Sequence, residues 1–114
     1  MMQFDVDERP GGVVVLALSG DVMGGPDGAM LHERLHALKA EGKRNVVADL
    51  HGVRFMNSSG LGMLIGALTT MRNAGGDLRL ARVGDRVHSL LMITKLAAVF
   101  KHYGSVSEAV SSFS

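Results

Sequence analysis

The chain has 114 residues, of which 46% are hydrophobic and 20% are charged, so we expect one soluble globular domain spanning residues 1–114. The net charge of +1 and the absence of like-charge blocks argue against nucleic-acid binding, and the lack of cysteine excludes disulfides and cysteine-ligated metals. The apolar stretches are shorter than the ~18 residues of a membrane span, and residues 1–5 do not resemble a secretory signal. We therefore expect a cytoplasmic protein without membrane insertion.

The first two predicted elements are strands joined by a tight turn. Residues 3–7 place Phe4 and Val6 on one face at a period of two, which is typical of a half-buried strand. Residues 10–12 read Pro-Gly-Gly, a strong turn signal, and the apolar run 13–18 predicts a buried strand. These elements are expected to form an antiparallel hairpin.

A helix and a third strand follow the hairpin. Residues 24–28 are rich in glycine and predict a loop, and Pro26 suits the first turn of a helix. Gly42 is a plausible end for that helix, and the apolar residues of segment 45–50 predict a strand buried on both faces. The helix carries apolar side chains at helical spacing: Met30, Leu31, Leu35 and Leu38.

A second helix and a fourth strand come next. The helix follows residues 57–60 and ends at the glycine pair 75–76, and Leu78 and Leu80 mark the strand. The apolar stripe of this helix consists of Leu61, Leu64, Ile65, Leu68 and Met71.

The last part of the chain predicts two helices around a weak strand. Asp85 is expected to cap the third helix, and residues 99–103 predict a fifth strand. Residues 105–108 match a capping box that opens a short fourth helix. The third helix carries its apolar side chains at Val87, Leu90, Leu91 and Ile93.

The predicted order is therefore β-β-α-β-α-β-α-β-α. Strands that alternate with helices in this way indicate an α/β fold with right-handed crossovers. We expect a mixed, mostly parallel β-sheet whose N-terminal hairpin supplies the antiparallel pair.

Segment 49–65 carries the most chemical information. A strand ends there, and two serines and two glycines open an amphipathic helix. Asn57 or Ser58 can cap the free amides of the first turn, and these amides together with the helix dipole favour an anion. Gly60 and Gly62 remove side chains from the first turn, so a partner's backbone could approach closely.

This segment resembles the signature of the STAS domain family, named after sulfate transporters and anti-sigma factor antagonists. The family pattern is a strand ending in Asp-Leu, an apolar pair, and then Asp-Ser-Ser-Gly-Leu-Gly before an apolar helix. Here residues 49–50 end the strand and residues 57–62 read Asn-Ser-Ser-Gly-Leu-Gly. Further matches at 18–22, 75–78 and 87–96 extend the resemblance over nearly the whole chain. A free-standing domain of this kind is similar to the bacterial anti-sigma factor antagonists.

The resemblance implies a partner-switching protein. Ser58 matches the residue that the cognate anti-sigma factor, itself a serine kinase, phosphorylates in that family. The unphosphorylated domain is expected to bind the kinase and free a sigma factor, phosphorylation to end the binding, and a serine phosphatase to restore it. Two positions depart from the pattern, because Asn57 stands where the family usually has aspartate and Met23 where it usually has a second acidic residue.

The partner-binding site is expected where the loop 23–26 meets the helix start at 56–63. Both segments follow the carboxyl ends of neighbouring parallel strands, where α/β sheets usually place their sites. We expect a monomer that is not an enzyme and that needs no metal or cofactor. The predicted partner-binding residues are Asp21, Met23, Met56, Asn57, Ser58, Ser59, Gly60, Leu61, Gly62 and Met63.

The spacing of these residues also bears on other interpretations. Ser58 can be a plain helix cap, and His32 and His36 can bind a metal, although a solvated helix face fits them better. A dinucleotide loop at 60–66 is excluded by its spacing, and Ser59 as a nucleophile is excluded because Gly-x-Ser-x-Gly is absent. Three methionines fit either the core or a partner surface: Met23, Met56 and Met63.

Two other classes of function remain as alternatives. A STAS scaffold could serve a stress-signalling assembly, or it could be the regulatory subunit of a lipid ABC transporter. A small enzyme is disfavoured, because no acid/base pair and no ligand cluster can be located in the sequence.

Overall fold

Nine strands and helices follow one another in the predicted order along residues 2–114, the part of the chain that the computed structural model describes. The strands are β1 (Gln3–Arg9), β2 (Val13–Val22), β3 (Asn45–Met56), β4 (Asp77–Ala81) and β5 (His102–Tyr103). The helices are α1 (Pro26–Ala40), α2 (Ser58–Asn73), α3 (Asp85–Ile93) and α4 (Val106–Ser111).

The five strands form one sheet in the order β1-β2-β3-β4-β5. β1 and β2 are antiparallel, with Phe4 opposite Leu18 and Val6 opposite Leu16, whereas the remaining neighbours are parallel. The predicted mixed α/β sheet with an N-terminal hairpin is therefore confirmed.

Alternation along the strands divides the sheet into two faces. One face carries residues such as Leu16, Ala48 and Leu80, and it packs against the apolar sides of α1, α2 and α3 in the main core. The opposite face carries Val15 and Val47, which the short helix α4 covers in a second, smaller core. Within residues 2–114 no helix has the length and the apolar character that crossing a bilayer requires.

β2 and β3 are longer than predicted, and their ends form the part of the fold that matters for the site. β3 pairs with β4 only as far as Asp49, but β2 and β3 remain paired up to Val22 and Met56. Residues 19–22 and 52–56, called the β2–β3 ribbon below, therefore extend beyond the sheet towards the start of α2. Two register shifts interrupt this extension, so the regular alternation of the sequence does not reveal it.

In the last part of the chain two local predictions are wrong, and a predicted strand is shorter than expected. Asp85 does not cap α3, because Gly84 occupies the N-cap position and no side chain makes a cap hydrogen bond there. Ile93 is 78% exposed, since two residues of helix place it roughly 200° around the axis from buried Leu91. The fifth strand is shorter than predicted: β5 contains only His102 and Tyr103, which pair with Leu80 and Ala81 of β4.

Candidate functional site

The start of α2 resolves which residue caps the helix. Asn57 is extended, with φ −105° and ψ −178°, and its side chain accepts a hydrogen bond from the backbone N–H of Gly60 at 2.8 Å. The Asn57 carbonyl accepts the first intrahelical hydrogen bond, from the N–H of Leu61. Asn57 is therefore the N-cap, and Ser58 is not a plain cap but the first residue of the helix, with its side chain exposed.

The two serines of the motif have different surroundings. Ser59 abuts the glycine loop before α1, because a Cβ placed on Gly24 would lie 3.1 Å from the Ser59 Cβ and 3.2 Å from its carbonyl oxygen. Gly24 has φ +81°, a backbone conformation that side-chain-bearing residues rarely adopt. The loop and the helix start therefore lie together, as predicted, and Ser59 faces the contact between them.

Gly60 is a residue of the interior, contrary to the prediction that it admits a partner's backbone. A Cβ at Gly60 would lie 1.9 Å from the carbonyl oxygen of Val22, so the glycine allows α2 to pack directly on the end of β2. Nothing lies within 4 Å of a Cβ placed on Gly62, and this glycine is exposed. Of the two glycines, only Gly62 leaves open space for a partner.

The apolar residues beside the motif divide between core and surface. Met56 and Leu61 were predicted to contact a partner, but they are buried, at 6% and 2% exposure. Their side chains therefore belong to the core and not to a partner surface. Met63 is partly buried and faces α1, with its sulfur 3.6 Å from where a Cβ of Gly28 would lie. Met23, in contrast, is 45% exposed. The choice between core and partner surface thus has a different answer for each methionine.

An ion pair across the β2–β3 ribbon holds the predicted site residue Asp21. Arg54 donates two hydrogen bonds to the Asp21 carboxylate, from Nε at 3.1 Å and from Nη2 at 3.0 Å. The hydrogen bonds from the Arg54 guanidinium hold the pKa of Asp21 below its usual value. Both groups are charged at neutral pH and cancel each other's charge within the ribbon.

Arg54 and Phe55 lie next to the predicted site residue Asp21, and neither was predicted from the sequence. Phe55 lies opposite Asp21 in the strand register and is 40% exposed. If the predicted strand had been continued to Met56, the exposure of Phe55 would have been expected. Neighbouring residues of a strand point to opposite faces, and Met56 is buried. The glycine at position 52 and the polar residue before it interrupt the apolar pattern, so the sequence predicts that the strand ends earlier.

A cleft of about 400 Å³ separates α1 from α2 beside this region. Ser59 and His32 are the polar side chains among its lining residues, and Met63 contributes to its apolar wall. His32 and His36 lie on the exposed face of α1 with ring centroids 4.2 Å apart. Over residues 2–114, no three side chains of His, Cys, Asp or Glu come together as a metal site.

The first turn of α2 can accommodate an anion on Ser58. Helix geometry leaves the first backbone N–H groups without intrahelical acceptors, and the helix dipole is positive at this end. No acidic residue lies in the first turn, so a negative group on Ser58 would meet no like charge there.

Comparisons with known proteins find a matching protein family and a similar protein of known name. The family model described as STAS domain matches residues 4–109. The anti-sigma F factor antagonist of Paenibacillus polymyxa is 26% identical over 104 residues, which is 91% of this chain and 89% of that protein.

Two solved structures share the fold. An anti-sigma factor antagonist from Mycobacterium paratuberculosis superposes with a TM-score of 0.82 at 22% identity, over 99% of this chain and 94% of that one. The phosphorylated form of the Bacillus cell fate determinant SpoIIAA gives a TM-score of 0.74 at 16% identity, over 96% and 98% of the two chains. Since the family model also spans nearly all of the sequence, this chain belongs to the STAS domain family.

Proposed function

We propose that this protein is an anti-sigma factor antagonist controlled by phosphorylation of Ser58. In its unphosphorylated form it binds an anti-sigma factor that is also a serine kinase, and the bound kinase releases its sigma factor. The observation that carries the proposal is that Ser58 is exposed at the first position of α2 and does not cap the helix. The relative in Paenibacillus polymyxa, which is named an anti-sigma F factor antagonist, supports the class of function.

Both serines are exposed, and the choice of Ser58 over Ser59 rests on the different surroundings of the two residues. A kinase must bring the γ-phosphate of ATP in line with a serine oxygen, so the hydroxyl needs free space around it. The Ser59 Cβ and carbonyl lie against the Gly24 loop, and Ser59 lines the cleft between α1 and α2. Ser58 makes no cap hydrogen bond, since Asn57 takes that role, and its side chain is exposed.

Phosphate on Ser58 would act on the partner and not on the fold. It would add about −1.5 to −2 charges, which the start of a helix tolerates and even favours by roughly 0.3–1 kcal/mol. A partner surface packed over this position would have to desolvate the charge, at a cost of several kcal/mol when no cation compensates it. Phosphorylation would therefore release the anti-sigma factor, and a serine phosphatase would restore binding.

The contact surface that we propose is smaller than the predicted list of residues. It keeps the accessible or half-buried members and loses Met56, Gly60 and Leu61, whose side chains or backbones face the interior. The predicted residues that it retains are Asp21, Met23, Asn57, Ser58, Ser59, Gly62 and Met63.

The proposal is tested by phosphorylation with purified kinases. Each anti-sigma factor kinase of the source cell is incubated with ATP and the wild-type protein, Ser58→Ala or Ser59→Ala, and the modified residue is located by mass spectrometry. We expect phosphate on the wild-type protein and on Ser59→Ala, and none on Ser58→Ala. Modification of Ser59 would overturn the residue assignment, and no modification by any kinase would overturn the switch.

A further inference from the structure

Two exposed apolar side chains lie near the start of α2. They are Met23, which directly follows β2 and is 45% exposed, and Phe55, the second-last residue of β3, which is 40% exposed; the last residues of the two strands are paired. Exposed apolar side chains in one region of a soluble protein often mark a surface that a partner covers. Among residues 2–114 the exposed large hydrophobic side chains are Met23, Met30, Phe55, Met92 and Ile93.

The same surface has little net charge. Asp21 and Arg54 are joined by two hydrogen bonds, so their charges cancel. The helix cap is the neutral Asn57, and position 23 holds methionine.

We propose that the anti-sigma factor recognised by this protein presents an uncharged, apolar surface to Met23 and Phe55. This inference rests on the proposed function and specifies the partner's chemistry at the same site. The surfaces of two binding partners are usually complementary in electrostatic potential. A basic surface on the anti-sigma factor would find no net negative charge here, and its own charges would have to be desolvated on binding. An apolar surface on the anti-sigma factor gains binding free energy by burying the two side chains. The same surface binds the phosphorylated protein weakly, because it would have to desolvate the phosphate on Ser58 without compensating its charge.

The apolar contact is tested by truncating the exposed side chains. The dissociation constant of each purified anti-sigma factor of the source cell is measured by calorimetry with wild type, Met23→Ala and Phe55→Ala. For the factor that binds the wild-type protein, we expect each variant to lose at least tenfold in affinity. Met30→Ala and Met92→Ala remove methionines that are at least as exposed, at 48% and 59%, but lie elsewhere, and should change the affinity less than twofold. Wild-type affinity in both Met23→Ala and Phe55→Ala, at unchanged melting temperatures, would overturn the inference.

A second comparison tests the absence of charge recognition. Asp21→Asn leaves a net positive charge at the site, and Arg54→Gln leaves a net negative one. An apolar partner should bind both variants within about threefold of each other, and raising NaCl from 50 to 500 mM should change the affinity by less than threefold. A basic partner would bind Arg54→Gln more tightly and Asp21→Asn more weakly, and that opposite response would contradict the inference.

The two proposals fail in different ways. If no anti-sigma factor binds the wild-type protein, the proposed function is wrong and the inference falls with it. If one factor binds the wild-type protein and not its phosphorylated form, but tolerates the loss of both Met23 and Phe55, only the inference is wrong.

Discussion

Gly60→Ala measures how closely α2 must approach β2. The added Cβ would lie 1.9 Å from the carbonyl oxygen of Val22 and 2.7 Å from its carbonyl carbon. Real Cβ atoms keep at least 3.0 Å from such atoms, so 3.0 minus 1.9 leaves a helix displacement of about 1 Å. Backbone atoms on both sides of the contact cannot move aside as the end of a side chain would.

The expected cost follows from these distances. Forcing extra atoms into a packed contact costs about 1–3 kcal/mol, occasionally more, while alanine in a helix recovers at most about 1 kcal/mol over glycine. At about 4 °C per kcal/mol for a domain of this size, a net loss of about 1–2 kcal/mol lowers the melting temperature by about 4–8 °C. Part of the helix start would also be displaced, so partner affinity should fall with the stability.

Gly62→Ala is the matched control for this experiment. It lies two residues further along the same helix, with nothing within 4 Å of the added Cβ, so only the gain in helix propensity applies. Calorimetry of both variants should show Gly62→Ala at or above the wild-type melting temperature and Gly60→Ala well below it. Equal melting temperatures for the two variants would refute the account of Gly60 as an intramolecular contact.

Three further expectations concern the cap, an acidic residue and the loop. Asn57→Ala removes the hydrogen bond to the Gly60 N–H and should cost about 0.5–2 kcal/mol in urea unfolding, whereas Asn57→Asp keeps a capping oxygen and should unfold near the wild-type midpoint. Burial alone would raise the pKa of Asp49, but hydrogen bonds from Arg82 and from the His51 N–H outweigh it and hold that pKa below its usual value. The Asp49 carboxylate therefore stabilises the fold above pH 4, and the stability difference between wild type and Asp49→Asn should shrink as the pH falls from 5 to 2; a constant difference would contradict this. Gly24→Ala, at φ +81° and against Ser59, should lower the melting temperature, and Gly28→Ala, whose Cβ would lie at an ordinary 3.6 Å from Met63, should not.

Local patterns of the sequence were sufficient to predict the architecture. The alternation of Phe4 and Val6, the apolar run from Val13 and the capping box at Ser105 each act over a few residues, and each element formed where it was expected. The hydrogen bond from the Glu108 N–H to the Ser105 hydroxyl is the clearest case, since both partners belong to one short motif.

The site depends on contacts between distant segments, and these were harder to predict. The role of Gly60 is decided by Val22, which lies far away in the sequence and reaches α2 only through the pairing of β2 with β3. The exposure of Phe55 depends on a ribbon with two register shifts, which breaks the period of two that marks a strand. A serine–glycine motif therefore located the site, but only the packed structure separates its surface residues from its core residues.

The central claim is that a charge on Ser58 releases the partner while the fold is kept. The most direct measurement is the affinity of the purified anti-sigma factor for the unphosphorylated and the fully phosphorylated protein, together with the melting temperature of each form. A penalty of about 2.7 kcal/mol or more corresponds to at least a hundredfold loss of affinity. We predict that loss, with melting temperatures that agree within a few degrees because the helix start tolerates the anion. Equal affinities of the two forms, or a phosphorylated form that unfolds at a much lower temperature, would contradict the account.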